Sequence, residues 1–250
     1  MIEIKNLVAQ NNEKRILKID NFLFENTSYL ISGANGSGKS TLIKILANDI
    51  DIDKYQDLKL TGSIFVDGKD ILTDISAREK FNKDLCYISQ EDEFLTNNVA
   101  QEFTVYYNIA NGTNISKDSI VSIIRELDIE DLLLKTFSKD SLLDVFKLKI
   151  NSLSGGQKKV IHIVRELIKN KYAKYLLFDE PLNNLDIRNI TSISNLINKI
   201  SSNKLLIIVS HCKIFPFIKN EFLLIENELR KCNYNCLSCF GNPNKEGYYE

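Results

Sequence analysis

A glycine-rich segment near the N-terminus has the residue types and spacing that bind phosphate. It follows an apolar run at residues 29–32 and precedes a segment with helical spacing at 41–47, and it consists of Gly33, Ala34, Asn35, Gly36, Ser37, Gly38, Lys39 and Ser40. The match to G-x-x-x-x-G-K-[ST] between a strand and a helix is the arrangement that this chemistry requires. The glycines let consecutive backbone N–H groups converge on phosphate oxygens, and the positive end of the following helix adds to the attraction.

The last residues of this segment predict specific contacts with a nucleotide. Lys39 is expected to reach the β- and γ-phosphates, and the Ser40 hydroxyl is expected to ligate Mg²⁺. Thr41 is expected to support the first turn of the helix close to the α-phosphate. The sequence therefore predicts a site for a nucleotide and its magnesium ion.

Two adjacent carboxylates extend this prediction to catalysis. Asp179 and Glu180 follow the apolar run 175–178, at the carboxyl end of a predicted strand, where open α/β sheets bind ligands. Asp179 is expected to hold Mg²⁺ through water. Glu180, one residue further on, is expected to face the γ-phosphate and to polarise the attacking water as a general base. An apolar strand that ends in Asp-Glu does not by itself predict a catalytic site. The phosphate segment upstream is what favours a catalytic role for this pair.

Further motifs follow in a fixed order. They are Gln90 after an apolar run, the segment Leu153-Ser154-Gly155-Gly156-Gln157, the segment Asn183-Asn184-Leu185-Asp186, and His211 after the apolar run 205–210. This set resembles the ATP-binding cassette (ABC) family, and the resemblance covers roughly residues 1–230. It implies ATP as the nucleotide and ATP hydrolysis as the activity.

The resemblance also implies roles for these residues in a pair of cassettes. Ser154, Gly155, Gly156 and Gln157 would contact the ATP that is held by the phosphate segment of a second ABC subunit. His211 would hydrogen-bond the γ-phosphate. Gln90 would contribute a contact to Mg²⁺ or water and would begin the loop that faces a membrane partner. Asp186 would belong to the loop that crosses the dimer interface.

The predicted fold is an α/β P-loop NTPase with a RecA-like core, an N-terminal antiparallel β-subdomain and an inserted helical subdomain. Alternating residues predict two edge-like strands at 2–7 and 16–19 around a polar turn at 10–13. A change to helical patterns predicts the helical subdomain at about 91–152. After Gly156, helices alternate with apolar strands, which indicates a parallel sheet covered on both faces. The predicted domains are a cassette at 1–230 and a cysteine-containing tail at 231–250.

Composition narrows the possible partners. The 250 residues include 32 Lys and Arg against 33 Asp and Glu, and this balance gives no basic field for nucleic acid, which is not expected as a partner. The start of the chain has no secretory pattern, so a cytoplasmic location is expected. The longest strongly apolar stretch, at 205–209, is too short to span a membrane. Any association with the inner face of the membrane is therefore expected to be peripheral.

Two functions remain open from the sequence. The first is the ATP-binding subunit of an ABC transporter, which hydrolyses ATP to drive a separate membrane-spanning permease and pairs with a second ABC subunit as a homodimer or heterodimer. The alternative is a soluble, non-transport ABC ATPase that acts in iron–sulfur or peptide-maturation assembly.

Three departures from the family pattern are visible. The first hairpin has Ala9-Gln10-Asn11-Asn12 where cassettes stack an aromatic residue on adenine, so weak base selectivity is expected. Val160 replaces a common arginine, and His162 on the same helix is expected to pack as a neutral histidine. The tail carries Cys232, Cys236 and Cys239, which could bind Zn²⁺ or an iron–sulfur cluster or could remain metal-free.

Overall fold

The computed structural model describes residues 1–11, 14–49, 58–211 and 215–232. Within these ranges the chain forms two β-sheets and eight α-helices. The strands are β1 (Ile2–Asn11), β2 (Lys14–Phe24), β3 (Ser28–Ser32), β4 (Leu58–Val66), β5 (Lys69–Asp70), β6 (Leu85–Ile88), β7 (Tyr175–Asp179), β8 (Leu205–Val209), β9 (Asn220–Ile225) and β10 (Glu228–Lys231).

Helices lie between β3, β6, β7 and β8 of the second sheet along the chain. They are α1 (Lys39–Ala47), α2 (Ile75–Lys83), α3 (Val99–Asn111), α4 (Lys117–Glu126), α5 (Glu130–Phe137), α6 (Leu142–Phe146), α7 (Gly155–Lys169) and α8 (Ile187–Ile200). None of these helices, which lie in the described part of the chain, is both long enough and apolar enough to cross a membrane.

The first sheet is antiparallel, with strand order β2-β1-β4-β5. The antiparallel N-terminal sheet is as predicted, but two details of the prediction were wrong. β1 lies between β2 and β4 and is not an edge strand, and it continues through Gln10 to Asn11, where a turn was predicted. The reason is pairing on both sides, since Asn11 lies opposite both Lys14 and Leu58 and the polar residues extend the ladder.

The second sheet has strand order β10-β9-β3-β8-β7-β6 and is parallel except for the edge strand β10. Every residue of β7 and β8 is buried, as expected for strands covered on both faces. The sequence predicted β3, β6, β7 and β8. It missed β9 and β10, which continue the sheet beyond β3. The missed hairpin matters for the site because its residue Leu224 lies against the phosphate segment.

Four helices, α3 to α6, and one 3-10 turn at Ile150–Ser152 lie between β6 and α7. They fall in the interval where a helical subdomain was predicted, and their apolar residues join one core with α7. The sequence predicted a helix only after Gly156, but α7 starts at Gly155. Ser154 and Gln157 form a capping box that satisfies the first backbone N–H groups of the helix.

α7 buries charged side chains against α3. Arg165 is 3% exposed and its guanidinium donates to Glu102 (2.8 Å) and to Glu166 (2.9 Å). The ring of Tyr106 lies 3.7 Å from the Arg165 guanidinium carbon. Glu102, fully buried, also accepts hydrogen bonds from the backbone N–H (3.0 Å) and hydroxyl (2.8 Å) of Thr96. These contacts fix the position of α7 relative to α3.

We expect Glu102→Ala to lower the free energy of unfolding by about 2–4 kcal/mol, because it leaves one buried arginine interaction and two Thr96 donors unsatisfied. Urea unfolding followed by circular dichroism measures this loss. The matched control is Asp131→Ala, which breaks an ion pair whose two side chains are 77% and 80% exposed and should cost less than about 1 kcal/mol. Equal losses in the two variants would contradict the structural role assigned to the buried pair.

Candidate functional site

The phosphate segment forms a tight loop between β3 and α1. Gly38 has a φ of 100°, in the left-handed region, and a Cβ atom there would lie 2.8 Å from the backbone oxygen of Ile16. A side chain at this position is therefore excluded both by backbone strain and by contact. The ammonium of Lys39 donates to the backbone oxygens of Gly33 (2.9 Å) and Ala34 (3.0 Å), so it lies across the loop.

The backbone N–H groups at the N-terminus of α1 have no side-chain cap. Gly38 at the N-cap provides no side chain to accept from the first N–H groups, and the first turn has no acidic residue. Uncapped N–H groups and the helix dipole both favour an anion at this point. The geometry is that of a phosphate site, with the predicted residues Asn35, Gly36, Ser37 and Thr41 in the loop and in the first turn of the helix.

Asp179 ends β7 beside the start of α1. The Ser40 hydroxyl donates to Asp179 Oδ1 at 3.2 Å, and Asp179 is fully buried. Its second oxygen, Oδ2, is buried without a hydrogen-bond partner among the described residues. Burial raises the pKa of Asp179, while the Ser40 hydrogen bond opposes the rise. An unused buried carboxylate oxygen next to a hydroxyl fits Mg²⁺, which prefers hard oxygen ligands.

Glu180 and His211 lie together at the carboxyl ends of β7 and β8. Glu180 is 3% exposed, and its Oε1 lies 3.3 Å from Nε2 of His211. The backbone N–H of His211 donates to Glu180 Oε2 at 3.4 Å. Burial raises the pKa of Glu180, and this hydrogen bond and the charge of Lys39 oppose the rise. Burial and the charge of Lys39 lower the pKa of His211, which favours the neutral imidazole.

Gln90 lies just beyond β6 with an exposed side chain. Its backbone oxygen accepts a hydrogen bond from the ammonium of Lys159 on α7 at 3.1 Å. Sequence reasoning missed Lys159, which is 1% exposed. The available signal was its position on α7, directly before Val160 and Ile161, which are apolar and buried.

The segment Leu153-Ser154-Gly155-Gly156-Gln157, called the signature from here on, lies at the start of α7, and part of it is on the surface. Ser154 and Gly155 are exposed, and a Cβ atom on Gly156 would lie 3.0 Å from the backbone oxygen of Asn184. Gln157 is engaged within the chain, because its amide oxygen accepts from the Ser154 N–H (3.1 Å) and its amide nitrogen lies 3.5 Å from the backbone oxygen of Thr136. A contact between Gln157 and a nucleotide stays a prediction.

The segment after Glu180 ends at a helix cap. The Asp186 carboxylate accepts from the backbone N–H groups of Arg188 (3.0 Å) and Asn189 (2.9 Å) at the start of α8. These hydrogen bonds lower the pKa of Asp186. Asp186 therefore fixes the end of the loop that Gly156 contacts.

The departures noted in the sequence have structural counterparts. Ala9, Gln10 and Asn11 lie in β1, and Asn12 lies outside the described residues. The aliphatic side chains of Ile16 and Leu224 lie beside Gly38 of the phosphate loop. His162 is 2% exposed, and burial together with the charges of Arg165 and Lys159 lowers its pKa to about 2. It is a neutral core residue, more completely buried than the sequence predicted.

The cysteines of the tail are mostly outside the described part of the chain. Cys236 and Cys239 are not among the described residues, and Cys232 ends them. Across residues 1–11, 14–49, 58–211 and 215–232, no group of three or more His, Cys, Asp or Glu side chains is placed to hold a metal. The metal-binding role of the tail stays a prediction.

A phosphate loop against two buried carboxylates, at the carboxyl end of a parallel sheet, defines the class of α/β nucleoside triphosphatases. Comparisons with known proteins specify the family. A family model described as ABC transporter matches residues 18–183. The chain belongs to this family.

Individual relatives agree with this assignment. The phosphate import ATP-binding protein of Saccharolobus solfataricus is 32% identical over 84% of this chain and 78% of its own length. The methionine import ATP-binding protein of Clostridium acetobutylicum is 32% identical over 98% of this chain and 72% of its own length. The dimeric structure of a bacterial ABC transporter cassette has a TM-score of 0.72 and 22% identity, covering 92% of this chain and 97% of that one.

Family membership confirms several predictions. The chain has the ABC ATPase fold, binds and hydrolyses ATP, and is the ATP-binding subunit of an ABC transporter. A function in an ABC transporter is thereby favoured over the alternative of a soluble, non-transport ABC ATPase.

We expect Glu180→Gln to raise the melting temperature at pH 7.5 by roughly 2–4 °C, the change that about 1 kcal/mol produces in a chain of this size. The raised pKa means that folding disfavours the ionised carboxylate, so removing the charge stabilises the fold above that pKa. The gain should vanish below about pH 4, where the ordinary value of 4.5 keeps the group protonated in both states. Thermal unfolding at both pH values measures the effect, with the exposed Glu91→Gln as control. A gain that persisted at low pH would contradict this origin.

Proposed function

We propose that this ATPase uses Glu180 as its general base, in a head-to-tail pair of cassettes that each contribute to both ATP sites. The observation that carries the proposal is the position of Glu180, buried at the end of β7 next to Asp179 and 3.3 Å from His211. A desolvated carboxylate with a raised pKa is a stronger base than an exposed one, because it accepts a proton more readily.

Hydrolysis then follows from the arrangement of the side chains. Water attacks the γ-phosphorus in line with the bond to ADP, its proton passes to the Glu180 carboxylate, and that bond breaks to give ADP and phosphate. Lys39 and the N–H groups of the loop stabilise the charge that develops on the phosphate oxygens. Neutral His211 contacts the γ-phosphate from the side of Glu180.

Ser40 and Asp179 are the residues that would hold Mg²⁺, with Gln90 as a further contact. The support is the short distance between the Ser40 hydroxyl and Asp179 Oδ1, together with the unused oxygen Oδ2. When bound, the ion neutralises charge on the β- and γ-phosphates. The burial of Asp179 keeps competing water away from this carboxylate.

The second cassette supplies the signature. Ser154 and Gly155 are exposed and Gly156 is half-buried at the start of α7, where N–H groups and the helix dipole favour an anion. We assign them to the γ-phosphate held by the partner's loop. Closure of the pair then completes both sites, and release of phosphate removes the charge that holds the subunits together.

The membrane location follows from the permease partner. We place the chain in the cytoplasm, bound peripherally to the inner face of the membrane, with residues 91–152 as its helical subdomain and 1–230 as its cassette. The support is the similarity to two import ATP-binding proteins. The transported substrate is selected by the permease.

We expect Glu180→Gln to retain ATP affinity within about threefold but to lower kcat at least about a hundredfold, because it removes the proton acceptor and preserves size. Steady-state phosphate release and equilibrium ATP binding measure the two effects. Lys39→Ala should instead weaken ATP binding at least about tenfold, which shows that the binding assay responds to the loop. The exposed Glu79→Gln is the matched control and should behave as the unmodified chain. Near-normal turnover of Glu180→Gln would assign the base to another residue.

The partner is tested by affinity capture. We expect tagged Glu180→Gln protein, captured with ATP from detergent-solubilised cells, to bring a polytopic membrane protein with it, because blocked hydrolysis prolongs the closed state. Mass spectrometry identifies the captured protein, and Lys39→Ala serves as control for ATP dependence. Recovery of soluble proteins alone would favour the assembly function over transport.

A further inference from the structure

A buried lysine joins the signature helix to the Gln90 segment. The ammonium of Lys159 on α7 donates to the backbone oxygens of Ser89 (3.0 Å) and Gln90 (3.1 Å) and to Asp92 Oδ1 (3.1 Å). The side chain of Lys159 is 2% exposed and that of Asp92 is 20% exposed. All three acceptors lie within four consecutive residues directly after β6.

This set of contacts uses the whole hydrogen-bonding capacity of the lysine. An ammonium has three N–H donors and no acceptor, and each donor of Lys159 has one partner. A buried ammonium is tolerated only when it is paired and hydrogen-bonded in this way. The segment 89–92 must therefore keep its position relative to α7, or the charge loses its partners.

The hydrogen bonds of Lys159 fix the backbone at Gln90, which is one of the predicted site residues. Because the Gln90 carbonyl is held by Lys159, the direction in which the exposed Gln90 side chain leaves the backbone is also held. Lys159 lies five residues after Ser154, or about 7.5 Å along the helix at 1.5 Å per residue. The buried side chain of Lys159 thus connects residues 89–92 to the helix that begins with the signature.

We propose that Lys159 is a positioning residue that holds Gln90 in register with the signature helix. It thereby links the chain's contact with its own ATP to its contact with the partner's ATP. This inference rests on the proposed function, since it takes from there the roles of Gln90 and of Ser154. The ammonium of Lys159 donates to Ser89, Gln90 and Asp92, and its effect on ATP is exerted through Gln90.

The inference predicts that replacing Lys159 lowers kcat for ATP but leaves KM almost unchanged. Lys159→Met removes the three donors and preserves most of the side-chain volume, while the phosphate loop keeps its contacts. We expect kcat for ATP to fall at least about tenfold and KM to change less than about twofold, measured on the full chain at about pH 8.5. Lys159→Arg, which keeps the charge and the donors, should recover at least a third of the lost activity. The matched control is Lys158→Met, the adjacent lysine on α7, which should stay within about twofold of the unmodified chain.

A double-mutant cycle distinguishes positioning from general loss of structure. If Lys159 acts through Gln90, Lys159→Met should lower kcat no more than about twofold when Gln90 is already replaced by Ala. Effects that multiply in the double variant would overturn the inference, and so would an unchanged kcat in Lys159→Met.

The outcomes separate this inference from the proposed function. If Gln90→Ala lowers kcat and Lys159→Met does not, the inference fails while the role of Gln90 stands. If Gln90→Ala does not change kcat, both the positioning role of Lys159 and the proposed role of Gln90 are wrong. The role of Glu180 is tested separately, by Glu180→Gln. Should Lys159→Met not fold, as judged by thermal unfolding, Asp92→Asn provides the same cycle. It removes the paired charge and is expected to lower kcat about threefold alone and not at all beside Gln90→Ala.

Discussion

Two carboxylates at the end of a fully buried strand set the main constraint on this structure. Asp179 and Glu180 are 0% and 3% exposed, and burial raises the pKa of both. Ionised carboxylates in such surroundings are costly unless hydrogen-bond donors and positive charge surround them. Lys39 and Ser40, at the end of the phosphate loop, and the N–H of His211, after β8, provide these, so the groups come from two distant segments of the chain. The phosphate loop, β7 and the end of β8 must therefore meet at one point.

The same physics fixes α7. This helix buries Lys159, Arg165 and Glu166, and each is paired with a group from another element or from its own helix. Removing one member of such a pair leaves a charge without compensation, which costs more than a pair of exposed charges can gain. Apolar packing alone tolerates small rotations of a helix, whereas these directional hydrogen bonds restrict them. The signature at the N-terminus of α7 is thereby held in a defined direction.

The parts of the site that could be predicted from sequence are those encoded by short segments. The phosphate loop, the Asp179-Glu180 pair and the signature depend on local needs, such as the left-handed backbone of Gly38. The β9–β10 hairpin was missed because β9 pairs with β3, nearly two hundred residues earlier, and its register is set by that distant strand. Lys159 was missed because its three acceptors lie on another element, and its residue type alone indicates an exposed position.

The two helices that start at the proposed ATP sites, α1 and α7, differ in the capping of their first N–H groups. α1 has no side-chain cap, so its N–H groups are open to a phosphate bound by the same chain. α7 is capped, since the Ser154 hydroxyl oxygen accepts from the Gln157 N–H at 3.3 Å. A hydroxyl can accept in the cap and still donate its own hydrogen, so capping leaves one donor available and restricts its direction. The exposed Ser154 can therefore serve a phosphate from outside the chain while α7 stays capped in its absence. This matches a signature that must be preformed before the second cassette arrives.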